Sequence, residues 1–328
     1  MNRNFIVIIP ILGTLVLGIL FLSWYFMSHP LTASSGYAPA ASAVAFAPSL
    51  ALLPDNDSGR QIRYGHELVA NTAQYLGPKG SVAHLTNGMN CQNCHLNVGT
   101  MPWGNNYMAV AATYPKFRER SGTVESIEKR VKDCFNRSLN GKAPADDSRE
   151  MKAMVAYIKW VGSGIKKGVK PNGSGLHELA WMSRAADADK GLIVYHEQCE
   201  RCHKADGEGL KDPATELYIY PPLWGKHSYN IGAGLYRLSR FAGYVKDNMP
   251  FGTDYTKPQL TDEEAWDVAA FVNAQPRPGM DLSQDWPRLA AKPADHPFGP
   301  FADTFSEVQH KFGPWQPIKK AKSLLQKK

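Results

Sequence analysis

The chain opens with an apolar run over residues 5–27, preceded by Arg3 and broken only by residues such as Pro10, Thr14 and Ser23. The run is longer than the ~7–15 residues of a signal-peptide core and near the ~20 that span a bilayer. It predicts an N-terminal signal anchor over residues 1–30, with a cleaved signal peptide as the alternative. The small-residue sites Ala38-Pro39-Ala40 and Ala41-Ser42-Ala43 lie far from the run. Either reading puts the rest of the chain outside the cytoplasm. Beyond the run the pattern is helical, with few strand signals. Val124, Ile127, Val131 and Phe135 recur as one apolar stripe, predicting a helix over 124–139. Thr261 before Asp262, Glu263 and Glu264 is a helix start, with a capping hydroxyl and acids that complement the first-turn dipole. Asp146, Asp147, Ser148 and Glu150 give the same signal earlier.

Two short motifs change the picture. Cys91-x-x-Cys94-His95 and Cys199-x-x-Cys202-His203 each have the spacing that attaches c-type haem. Thiols three residues apart share one side of a helical turn, and the adjoining His is an iron ligand. A zinc site would want four ligands where each motif offers three. The cofactors expected are therefore two covalently attached haem c groups.

The segments after the two motifs repeat. Val131-Lys132-Asp133-Cys134 matches Val245-Lys246-Asp247-Asn248. Met154 to Ile158 matches Val268 to Val272, and Cys134–Tyr157 and Asn248–Phe271 have equal separations. The expected fold is all-α: two tandem class I cytochrome c-like domains behind an N-terminal transmembrane or signal helix. The expected divisions are a flexible linker at 31–54, a first domain at 55–162, a linker at 163–185, a second domain at 186–276 and a wrapping tail at 277–328. In each domain a helix should carry CxxCH at its C-terminal end, over 188–202 in the second, and a closing helix should end the unit.

His95 and His203 each supply one axial ligand. In the second domain Met249, followed by Pro250, supplies the other, and a thioether opposite His raises the reduction potential. The first domain has no Met there. Met151 and Met154 fall on the closing helix as core, and Met101 and Met108 lie too near His95. Cys134 is left as the ligand. On the expected helix, Arg130, Arg137 and Ser138 share its face, Arg120 precedes the helix and Lys142 follows it. Such cations favour a thiolate and form an anion pocket beside it. The net charge of +7, with lysines concentrated late at Lys319, Lys320, Lys322, Lys327 and Lys328, reads either as a solvated basic tail or as attraction for an anionic substrate or an acidic redox partner. Nucleic acid is not an expected partner of an exported haem protein.

The stretch Arg130-Val-Lys-Asp-Cys134-Phe-Asn-Arg137-Ser138-Leu-Asn-Gly141 resembles the dihaem thiosulfate dehydrogenases around their Cys-ligated catalytic haem. The resemblance spans both haem domains, roughly residues 55–276. It implies a periplasmic oxidoreductase on a bacterial inner membrane, anchored or released. It further implies coupling of two thiosulfates to tetrathionate, possible in reverse, with electrons leaving to a soluble or membrane acceptor such as a cytochrome c. By the same resemblance, Cys134 is nucleophile as well as ligand, and Arg130, Ser138 and Arg120 bind thiosulfate. Some relatives carry Lys just before the second-haem Met; this chain has Asn248, so ligand exchange by Lys is not expected. The rival class is a membrane-anchored dihaem electron carrier or oxidase subunit, which leaves Cys134 and its cations without a task.

Overall fold

The computed structural model describes residues 44–325. The anchor expected over residues 1–30 lies outside the described residues. Among the described residues no helix is long and apolar enough to cross a membrane.

Two helix pairs frame the chain. In the first, α1 (Asp57–Ala70) packs along α3 (Arg149–Val161); in the second, α4 (Ala188–Gln198) packs along α6 (Asp262–Ala274). Between the partners come α2 (Ile127–Arg137) in the first unit and α5 (Leu238–Asn248) in the second. The starts follow from local chemistry. Ser126 accepts from Lys129 N, Ser148 from Met151 N, and Thr261 makes a capping box with Glu264.

The expected register is visible in the packing. A Cβ on Gly65 of α1 would lie 2.0 Å from the Ala153 carbonyl oxygen and 2.8 Å from the Tyr157 Cβ. A Cβ on Gly191 of α4 would lie 1.9 Å from the Asp267 carbonyl oxygen and 2.9 Å from the Phe271 Cβ. Ala153 and Asp267, and Tyr157 and Phe271, are equivalent in the repeat. Both crossings therefore need a residue without a side chain.

Four expectations change. The middle helix begins at Ile127, not at 124, because β2 (Thr123–Glu125) pairs antiparallel with β1 (Lys116–Arg118). Val124 consequently stands 66% exposed instead of joining the apolar stripe. The first CxxCH does not end a long helix. It begins in the 3₁₀ turn Cys91–Asn93, twenty residues beyond α1, and polar side chains tie it back: Cys91 N donates to Thr72 Oγ1 at 3.0 Å, and Ala73 N to Asn90 Oδ1 at 2.8 Å. The second does follow α4, but the helix breaks at Cys199 and resumes as the turn Glu200–His203. A second hairpin, β3 (Leu210–Lys211) with β4 (Tyr218–Tyr220), follows it.

The segments expected as linkers and tail are also more fixed than composition suggests. Ala45, Ala47 and Leu50 pack on the first core, and Arg63 donates to the Leu53 carbonyl at 2.7 Å. Linker carbonyls of Gly173 and Gly175 accept from the Trp103 and Asn105 amides. The tail carries α7 (Gln316–Leu325), and Trp315 and Ile318 are fully buried in the second core beside Trp266. The basic residues of this tail are partly built in: Lys292 caps the Phe298 and Pro300 carbonyls. Met108, Met151 and Met154 are buried in the first core. Tyr229, Ala233 and Tyr236, which precede α5, are buried in that same core, so the two units interlock.

Candidate active site

Cys91, Cys94 and His95 line one apolar slot together with Cys134, Phe135 and Met154. His95 Nδ1 faces the Asn105 carbonyl, and burial pushes its pKa down to about 4. The ring is thus neutral, with Nδ1 as donor and Nε2 left for a metal. Cys199, Cys202 and His203 line a second slot with Met249, Phe241 and Val268. There His203 Nδ1 donates to the Pro221 carbonyl at 2.8 Å, and burial again lowers the imidazole.

Both slots suit a haem: two unpaired thiols and one oriented imidazole on the motif, apolar walls, and a soft sulfur elsewhere on the lining. Burial pushes Cys91 and Cys94 up to about 12, the reverse of what a thiol redox pair requires. Among the described residues no three His, Cys, Asp or Glu side chains gather to hold a lone metal ion.

The first slot opens into a polar cavity of about 310 Å³, and Cys134, Arg130, Ser138, Cys94 and His95 line both spaces. The sulfur at position 134 therefore sits on the boundary between an apolar compartment and a charged one. Six cationic side chains line the charged one: Arg118, Arg120, Arg130, Lys170, Arg237 and Arg240. Against them stand the acids Glu125 and Asp133. Glu125 lies 4.0 Å from Arg118, and Asp133 pairs with Lys129 at 2.5 Å. Among the described residues the Arg130 guanidinium pairs with no carboxylate, though Asp133 and Glu125 act on it from a distance. Its pKa is held above the ordinary value, most of all by the charge of Cys134.

The structure separates the expected cations. Arg130, Arg120 and Ser138 line the cavity. Arg137 does not. Its two terminal nitrogens grip Asp285 at 2.7 and 2.9 Å, so it is a buried support instead of a free anion binder. Lys142 is exposed and lines neither space, because the helix has ended before it and Lys142 N turns to the Leu85 carbonyl. Arg120 is placed by the tail and the second unit. It donates to the Gly232 carbonyl at 2.8 Å, its carbonyl accepts from Trp286 N at 2.7 Å, and Asp285 lies 4.0 Å from its Nε. Burial and the nearby Arg137 push Arg120 down to about 10. Asp285, Trp286, Arg237 and Arg240 were not foreseen. They stand more than 100 residues from Cys134 in the chain, where no local pattern joins them.

The two slots adjoin. Asn93, between the first pair of attachment cysteines, lines the second slot, and Tyr244 of α5 donates to its carbonyl at 2.8 Å. Two helical units with adjoining haem slots define a tandem dihaem c-type cytochrome. Residues 81–166 match the family described as SoxA/TsdA, cytochrome c domain, and residues 188–275 match cytochrome c. The thiosulfate dehydrogenase of Allochromatium vinosum is 39% identical over 235 residues, which cover 70% of this chain and 83% of that protein. That of Stutzerimonas stutzeri is 37% identical over 226 residues, covering 69% and 70%. The solved thiosulfate dehydrogenase (TsdBA) of Marichromatium purpuratum, in its "as isolated" form, aligns with a TM-score of 0.66 at 32% identity. It covers 72% of this chain, which spans 50% of that longer one. The chain belongs to the thiosulfate dehydrogenase family and carries two covalently attached haem c groups.

Proposed function

We propose that this protein oxidises thiosulfate, joining two molecules into tetrathionate at Cys134. The observation that carries the reading is the position of Cys134, shared between a haem slot and a cavity rich in arginine. His95 and Cys134 would hold one haem iron, and His203 and Met249 the other. When bound, the two haem groups would supply one-electron acceptors, and the Met249 thioether would raise the potential of the haem it holds.

The protein's own part is electrostatic and nucleophilic. Thiosulfate is a dianion, and fixed guanidiniums offset the repulsion of bringing two together. The Cys134 thiolate forms a bond to the terminal sulfur of the first thiosulfate, and two electrons leave. The terminal sulfur of a second thiosulfate then attacks the captured sulfur. The bond to Cys134 breaks, tetrathionate departs, and the thiolate is restored. Splitting the coupling in two avoids direct collision of two dianions. Arg130 balances the charge beside Cys134, and Arg120, Arg118 and Ser138 orient the sulfonate. Arg137, bound to Asp285, keeps Arg120 in place.

The electrons leave through the second slot to an external acceptor such as a cytochrome c. The protein works on the outer side of the cytoplasmic membrane, held by the N-terminal run or freed from it. Purified holoprotein given thiosulfate and an artificial acceptor should form tetrathionate with no second protein present. Reduction of both haems by added reductant but none by thiosulfate would leave an electron carrier instead.

A further inference from the structure

The cavity beside Cys134 is lined by both units, and its cations differ in what neutralises them. Arg120 shares Asp285 with Arg137. Arg237 is held by Asp295, which is fully buried. Arg118 has Glu125 at 4.0 Å. Lys170 is exposed on the linker. Among the described residues two half-buried guanidiniums remain without an ion pair to a buried carboxylate: Arg130 on α2 of the first unit and Arg240 on α5 of the second. The nearest acid to Arg240 is Glu178, at 3.7 Å and itself 75% exposed. Its charged neighbours Arg237 and Arg118 repel it, and burial with Arg237 pulls its pKa down. Asp295, which also acts on Arg240, is already taken by Arg237, so Arg240 stands open to the cavity with only the exposed Glu178 as its own partner.

Arg130 lines both the haem slot and the cavity together with Cys134, so it belongs to the capture site. We propose that Arg240 forms a second anion subsite in this cavity and takes the second thiosulfate, the one that attacks the sulfur held on Cys134. The inference rests on the reaction proposed above and divides it between units: the first unit captures, the second delivers. Arg237, fixed by Asp295, backs the same subsite. Tetrathionate carries a sulfonate at each end, so on formation it lies with one end at Arg130 and the other at Arg240. The same residue therefore governs tetrathionate entry when the reaction runs backward.

Arg240→Gln and Arg240→Lys, as oxidised holoproteins, test this in two stages. The first gives one equivalent of thiosulfate and follows the mass added to Cys134 and the reduction of the haems. The second measures tetrathionate formation against thiosulfate concentration with acceptor in excess. Arg240→Gln should capture the first equivalent like the parent. Its turnover should fall on the order of 10–10²-fold and need more thiosulfate for half-saturation, the scale of losing one electrostatic donor. Arg240→Lys should recover most of it. Parent-like turnover of Arg240→Gln at every thiosulfate concentration would overturn the proposal. So would an equal loss of capture and turnover, which would assign Arg240 to the first thiosulfate. A parent protein that captures nothing on Cys134 would sink the underlying reaction and the subsite with it.

Discussion

Cys134 was legible because the repeat put it where the second unit has Asn248, next to the expected ligand position, with cations a turn away. Arg130 was legible for the same local reason. Replacing Arg130 with Ala removes the guanidinium that lines both spaces with Cys134 and leaves the sulfur. Turnover should fall about 10²-fold, read by steady-state tetrathionate formation with both haem spectra unchanged. Asp285 gives a test of opposite sign. If it only neutralised the cavity, Asp285→Asn would raise the positive charge and tighten binding of a dianion. As the residue that grips Arg137 and lies beside Arg120, it should instead weaken binding. Half-saturation should shift to higher thiosulfate by about 10-fold, and Asp285→Glu should recover part of it. Tighter binding in Asp285→Asn would leave Asp285 as a charge balance alone. Helical spacing put Arg137 one turn from Cys134 on α2. It could not reveal that a carboxylate from the distant tail occupies that guanidinium.

At the scale of elements, the closing helices were the most readable, since capping is local. Thr261→Ala should cost about 1 kcal/mol of the second unit's stability, seen as a lower denaturant midpoint. The start of α2 was misread because Val124 fits a helical stripe as well as it fits a short β-strand. Only the pairing of Phe117 with Val124 decides between them. The glycine crossings carry a prediction too. Gly65→Ala must push apart α1 and α3, because its Cβ would meet the Ala153 carbonyl at 2.0 Å. A loss of about 1–3 kcal/mol is expected in chemical denaturation. The first turn of α5 holds no acid, and Arg240 sits there, where the helix dipole disfavours a cation. The acid comes from the tail instead: Asp295 accepts from Ser239 N in that turn and grips Arg237.

At the scale of the molecule, two tandem haem units were readable from motif and repeat, but their assembly was not. The segment before α5 fills the first core, and the tail passes the active site at Asp285 and Trp286 before burying Trp315 in the second core. Pro and Trp enrichment signals an irregular tail and says nothing of where it docks. The site is thus built from both units, the linker and the tail. The central claim is that Cys134 is the nucleophile and not merely a ligand. Its most direct test is the turnover of Cys134→Met holoprotein with thiosulfate and an artificial acceptor. Methionine keeps a sulfur in the slot, and haem attachment depends only on Cys91, Cys94, Cys199 and Cys202. A thioether has no thiolate with which to capture a sulfane sulfur. The account predicts both haems in place and no tetrathionate. Formation of tetrathionate near the parent rate would contradict it.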